Sequence, residues 1–190
     1  NTSLVFNWGG TTDKVQTSII MLKSRTHAER VVQYLQFYTN YQRQGKYNIE
    51  DVYGYTPFTL KLNDSFPQLY GKRMTFIDEG NGNIRVKIPF TGGTAPLFNY
   101  STLKPSSISA PSADYDEIFQ LGDTINTPFL KATLLPTDVY PQEGQEYFVS
   151  LGNFNGTAGR YRGIGVTQTP RGSSTPVSYT HLRAHETRNY

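Results

Sequence analysis

The chain has 190 residues, enough for one domain with a full core, and it lacks cysteine, which excludes disulfide frameworks and thiolate metal sites or nucleophiles. Hydrophobic residues at 36% and charged residues at 17% are both low, while 17 Gly, 11 Pro and 14% aromatics favour short strands joined by turns over long helices. The formal charge of +3 comes from Lys and Arg scattered along the chain, a pattern that describes a solvated, mildly basic surface better than a nucleic-acid face.

No apolar run approaches the roughly 20 residues that span a bilayer, and the N-terminus shows no charged segment leading into an apolar one. Because it begins at Asn1, the chain is read as a processed product or a fragment. From the front, Leu4-Val5-Phe6 and Trp8 before Gly9-Gly10 predict a short strand or arm closed by a turn. Ser18 to Leu22 is a compact apolar run that reads as a buried strand. A helix follows: Thr26 with Glu29 has capping-box spacing, and Ala28, Val31, Val32, Leu35 and Tyr38 fall on one stripe. Its end is open, since Tyr34 to Tyr41 is also rich in strand formers, and Gln44-Gly45 stops it in either case.

After Tyr53-Gly54-Tyr55-Thr56-Pro57 the period changes to two. Phe58, Leu60 and Leu62 alternate with Thr59 and Lys61, so one face is buried and the other wet. Lys72 to Ile77 and Asn83 to Phe90 flank Asp78-Glu79-Gly80-Asn81-Gly82, where glycine and Asn supply positive φ at little cost, and this is the clearest hairpin. Thr91 to Ser112, rich in Thr, Gly, Pro and Ser, reads as a long ordered loop pinned by Leu97, Phe98, Tyr100 and Leu103. Ala113 to Leu121 has room for a helical turn, and Thr124 to Leu135 and Gln145 to Leu151 are further strands.

Catalytic constellations are not evident. Outside the C-terminal tail His27 is the only histidine, at a helix start where capping or exposure is the ordinary role, and no Gly-x-Ser-x-Gly elbow accompanies it. The carboxylates Asp114, Asp116 and Glu117, or Glu143 and Glu146, lie in polar loop sequence where solvation is the default. Gly159-x-x-x-Gly163-x-Gly165 lacks a P-loop lysine and a following amphipathic helix, so it reads as turn and strand flexibility. The chain is therefore expected to be no enzyme and to take no cofactor, metal or small-molecule substrate. Tyr34, Tyr38, Tyr41, Tyr47, Tyr53 and Tyr55 cluster in the first third; core or interface packing is the commoner fate of such residues than a ligand platform, and Tyr47, Tyr53 and Tyr55 are the candidate interface.

Residues Pro176 to Thr187 resemble a translated sequencing-adaptor run, which implies that the native reading frame was interrupted near Thr175. That run holds the one tempting metal spacing, His181 and His185 at i and i+4 beside Glu186, and a third ligand is missing. Two further stretches carry a family resemblance. Asn83-Ile84-Arg85-Val86-Lys87-Ile88-Pro89-Phe90 resembles the alternating strand of picorna-like virus capsid proteins that ends in Pro and an aromatic, and Glu146 to Gly156 resembles their last strand with its later Phe-x-Gly. The sequence departs from that pattern at Thr91-Gly92-Gly93, where a polar-aromatic turn is usual, and in keeping only Glu146 of the paired acids.

The resemblance implies an all-β, mainly antiparallel fold, a jelly-roll-type β-sandwich with one or two short helices. The expected organisation is one domain over 1–170, incomplete at its start, and a disordered, largely non-native tail over 171–190. The implied function is a structural capsid protein that self-assembles with copies or sister subunits into the virion shell. Assembly takes place in the host cytoplasm, with which the absence of cysteine agrees. Contact with genomic RNA is compatible with the charge but not indicated, and no membrane is involved. The alternative is a secreted adhesin or carbohydrate-binding β-sandwich, for which the Tyr content and the sequons at Asn63, Asn99 and Asn155 speak weakly; a β-rich hydrolase is third.

Overall fold

The computed structural model describes residues 9–163, 165–168 and 176–179. Among the described residues three helices and fourteen strands appear in this order: α1 (Gly9–Leu22), α2 (Arg25–Tyr34), β1 (Thr39–Gln44), β2 (Ile49–Asp51), β3 (Phe58–Leu62), β4 (Gln68–Leu69), β5 (Arg73–Gly80), β6 (Asn83–Ile88), β7 (Thr94–Asn99), β8 (Lys104–Ser109), β9 (Tyr115–Gln120), β10 (Thr124–Asn126), β11 (Lys131–Pro136), β12 (Glu146–Leu151), α3 (Phe154–Arg162), β13 (Gly165–Gln168) and β14 (Pro176–Tyr179). The sheets are antiparallel throughout, as the composition and alternation led us to expect, and among the described residues no helix is long and apolar enough to cross a membrane. The chain divides into two compact units, residues 33–154 and residues 1–32 with 155–190. Every ladder of the three larger sheets begins and ends within the first of these, so its β-core is closed by its own chain.

In the 33–154 unit a six-stranded sheet runs β2-β1-β12-β5-β6-β9, beside two three-stranded sheets, β10-β11-β3 and β4-β7-β8. The pairings are nested: β1 lies against β12 (Thr39 opposite Leu151), and inside that pair β3 lies against β11 (Leu60 opposite Leu134). Alternation explains the inward faces. Phe58, Leu60 and Leu62 of β3, Met74 and Phe76 of β5, Ile84, Val86 and Ile88 of β6, and Tyr147, Val149 and Leu151 of β12 are all buried, while their neighbours in sequence face outward. The two inner faces meet at Phe58, whose ring centroid is 5.1 Å from that of Phe76 and 5.8 Å from that of Tyr147. These facing antiparallel sheets make the unit sandwich-like.

Polar groups fasten the layers. Gln68 is fully buried; its amide donates to the Asn63 and Lys131 carbonyls (2.7 and 2.9 Å) and accepts the Lys131 N–H (2.9 Å), linking β4 to β11. Tyr38 and Tyr100 stack at 3.8 Å between centroids; the Tyr38 hydroxyl donates to Asp64 (2.8 Å) and the Tyr100 hydroxyl to the Gly152 carbonyl (2.9 Å). At the β5–β6 turn Gly80, Asn81 and Gly82 all have positive φ (81°, 54° and 77°), the geometry foreseen from their identities.

Several local expectations are corrected. Ser18 to Leu22 is helical, the end of α1, with Ile20 69% exposed; a five-residue apolar run does not by itself separate strand from helix, and this one has no strand to pair with. Helix α2 is capped by Ser24, whose Oγ accepts the His27 N–H (3.2 Å), two residues earlier than a Thr26 cap would place it. It ends at Tyr34, because Gln36 takes φ 50° and sends its amide to β3, donating to the Leu62 carbonyl and accepting the Leu62 N–H. Residues 91–112 hold a hairpin, β7–β8, in place of a loop: Ala95 and Leu97 are buried, but β8 is an almost wholly exposed edge strand with Pro105, which hides its period. Residues 115–120 form strand β9 where a helical turn was expected.

Of the Gly159 to Gly165 stretch read as turn and strand, Gly159 falls inside α3, whereas Gly163 lies in a turn and Gly165 opens β13. Within the segment expected to be disordered, Pro176–Tyr179 is a strand paired with Gly165–Gln168. The predicted arm at Leu4 to Trp8 and the His181, His185 and Glu186 group lie outside the described residues.

Candidate functional site

The candidate interface residues come from one stretch of chain but reach three environments. Tyr47 sits at the tip between β1 and β2, 86% exposed, with the Lys46 ammonium 5.3 Å from its ring centroid. Tyr53 and Tyr55 flank Gly54 (φ 79°) in a turn closed by the Tyr55 N–H to the Val52 carbonyl (2.9 Å), a conformation that glycine adopts without strain. Asp51 accepts the Tyr53 N–H (3.0 Å) and fixes the start of that turn. The turn sends its two rings to different places. Tyr53, half-exposed, packs edge-on against Phe37 and Tyr41 (5.9 and 6.0 Å), whereas Tyr55 is 74% exposed.

Tyr55 lines a cleft of about 290 Å³ together with Arg43, Glu50, Tyr140 and Tyr147. Arg43 binds one carboxylate oxygen of Glu50 through two nitrogens, both at 3.2 Å, and Asp51 lines the same cleft as a second carboxylate. Tyr140 is 90% exposed, and sequence reasoning missed it, because the loop between β11 and β12 offers only the Val-Tyr-Pro of residues 139 to 141 as a signal. Burial, with nearby Asp78 adding to it, raises the Tyr147 phenol above its ordinary range and keeps it neutral at the inner wall.

Of the clustered tyrosines, Tyr38 and Tyr41 belong to the core and Tyr34 is exposed. The Tyr41 hydroxyl accepts the Leu60 N–H (2.9 Å), and burial pushes its ionisation well above the usual range. Beside it a half-open recess of about 140 Å³ is lined by Leu35, Thr39, Tyr41, Tyr53 and Leu60 among others. Thr39 is buried, and its hydroxyl has no hydrogen-bond partner. The other such atom among the described residues is Asp78 Oδ2; the second oxygen of that carboxylate accepts the Gly80 N–H (2.9 Å) at the β5 bulge.

Of the carboxylates weighed for acid–base work, Asp114, Asp116 and Glu117 hold structural partners. Asp114 accepts the Phe90 N–H (2.8 Å), Asp116 meets Arg85 (3.2 Å) and Lys87 (3.9 Å), and Glu117 accepts the Tyr115 hydroxyl (2.7 Å). Among the described residues no group of three or more His, Asp or Glu side chains is placed to hold a metal ion. No family model matches the chain, and no curated protein matches it either.

Proposed function

We propose that this chain is a coat subunit of a picorna-like virus, a jelly-roll-type sandwich that acts by packing against copies of itself or sister subunits in a closed shell, without catalysis. One observation supports the reading most: β12, the strand carrying the capsid-like Glu146 to Leu151 sequence, lies between the first strand β1 and β5, with β3·β11 nested inside. Laying the last strand beside the first is what a jelly roll does. The neighbouring β5–β6 hairpin, with β9 beside it, departs from the regular form.

The rim supplies the contact chemistry. Tyr55 and Tyr140 expose large rings around a cleft in which Arg43 is paired with Glu50, and exposed aromatics of this kind anchor interfaces at modest entropic cost. Symmetric closure lets such contacts sum to a stable particle. Assembly in the host cytoplasm into the virion belongs to the same reading. The test is to express the complete reading frame and examine the product by size-exclusion chromatography and electron microscopy. Closed particles or defined oligomers support the proposal, and a product that stays monomeric at every concentration overturns it.

A further inference from the structure

We propose that the outward face of the β3–β11–β10 sheet is a binding site for a tetrahedral oxyanion, the phosphate or sulfate group of an ester. Strand alternation builds the site. Leu62, Ala132 and Ile125 are buried, so the residues on either side of each point outward. The register sets these in two rows across the three strands: Lys61, Thr133 and Thr124 in one, Asn63, Lys131 and Asn126 in the other. Lys61 and Lys131 are diagonal neighbours, a relation that in an antiparallel pair puts Cα atoms about 7–8 Å apart. Together the six side chains line a groove of about 420 Å³.

Each of the six carries a hydrogen-bond donor, and no acidic residue lines the groove. Four are exposed, and Lys131 and Thr133 are half-buried, so a ligand reaches all of them. Among the described residues neither lysine has an acidic partner at ion-pair distance. The acids next in sequence are engaged elsewhere: Asp64 accepts from the Tyr38 hydroxyl and the Gln36 amide, and Asp123 from the Gln120 N–H. The Lys131 ammonium lies 4.5 Å from the Phe66 ring centroid, a contact that positions it and leaves its charge uncompensated. The Thr124 and Thr133 hydroxyls bond each other at 3.1 Å, so one of the two keeps its proton for a ligand. Asn63 Oδ1 accepts the Ser65 N–H (3.1 Å), which leaves the amide NH2 to donate. A cation is repelled here, and a neutral ligand leaves both ammonium charges unanswered. A tetrahedral dianion answers both and accepts from the hydroxyl and amide donors as well. One water takes roughly 30 Å³ in the liquid, so the groove has room for the oxyanion and the start of the molecule that carries it.

Amide-detected NMR of the full chain, titrated with inorganic phosphate, inorganic sulfate, chloride and acetate at matched ionic strength, tests the site. Phosphate or sulfate is expected to shift the amides of β3, β10 and β11 saturably, and Lys61→Gln and Lys131→Gln should each weaken that binding about fivefold or more. Lys61→Arg, which keeps the charge, and Lys104→Gln, which lies outside the groove, should retain it. Circular dichroism melts identify any variant that fails to fold; should Lys131→Gln do so, Lys131→Met, which keeps the apolar stem without the charge, replaces it. Phenyl phosphate and phenyl sulfate, titrated in parallel, separate the two sources: the tighter of them names the ester, and equal affinity assigns the site to the oxyanion alone. No saturable shift with phosphate or sulfate, an equal shift with chloride or acetate, or a shift that survives Lys61→Gln and Lys131→Gln combined overturns the proposal. Particle assembly is read separately and is expected to be unchanged in Lys61→Gln, which lies outside the Tyr55 cleft.

Discussion

The buried tyrosines and the rim tyrosines of this chain are the same residue under opposite constraints. Tyr38, Tyr41 and Tyr100 lie inside the sandwich, where every ring has aromatic neighbours and every hydroxyl a partner: Asp64, the Leu60 N–H and the Gly152 carbonyl. Tyr47, Tyr55 and Tyr140 leave most of their rings in water. Folding accounts for the first group, because a buried phenol must be both packed and hydrogen-bonded. It gives no reason for the second; the proposed assembly would supply one.

The comparison breaks most visibly in the core. Phe58→Ala removes the ring on which Phe76, Tyr147 and Tyr41 converge, and should lower unfolding stability in denaturant titration by about 3–5 kcal/mol. A loss below about 1 kcal/mol would show that the facing sheets do not depend on this cluster. Gln68→Leu leaves the part-buried Lys131 N–H without its side-chain acceptor, while the Lys131 carbonyl keeps the Asn63 N–H, and should cost about 1–3 kcal/mol.

A pH titration sharpens the contrast without mutation. Burial, and for Tyr38 the bond to Asp64 as well, raises the phenols of Tyr38, Tyr41 and Tyr100 far above the unfolded value of about 10. The folded state therefore favours the protonated form. The resulting stabilisation is fully present below about pH 10 and is lost as pH rises from there towards the folded values. Melting temperature should fall steeply above about pH 10 and be insensitive to these groups near neutrality. Tyr38→Phe should flatten part of that alkaline fall.

The smallest expected effect concerns the C-terminal pair. Ending the chain at Thr175 removes β14, which pairs only with β13, so the unfolding midpoint of the 33–154 sandwich should move by less than about 2 °C. A larger shift in calorimetry would mean that the segment resembling adaptor sequence supports the fold.

How much was legible in the sequence follows the same division. Strands buried on one face announced themselves: Phe58, Leu60 and Leu62, Ile84, Val86 and Ile88, and the turn residues Gly80, Asn81 and Gly82 needed only alternation and φ preference. Strands β8 and β9 bury almost nothing, so their sequences carry no period, and their strand form depends on the neighbours β7 and β6. Tyr47, Tyr53 and Tyr55 could be picked by type, but not their separation into a tip, a recess and a cleft, which the Gly54 turn imposes. Thr39 was invisible for a simpler reason: whether a hydroxyl is left unpaired depends on what surrounds it, and its neighbours Leu60 and Tyr53 come from elsewhere in the chain.

The central claim is that the rim tyrosines serve assembly and not folding. Sedimentation velocity of the complete reading frame and of its Tyr55→Ala, Tyr140→Ala double variant, alongside thermal melts of both, tests it directly. The expected result is assembly of the parent with at least a tenfold weaker association in the variant, corresponding to more than about 1.4 kcal/mol, at an unchanged melting temperature. A parent that remains monomeric, or a variant that assembles as well as the parent, would contradict it.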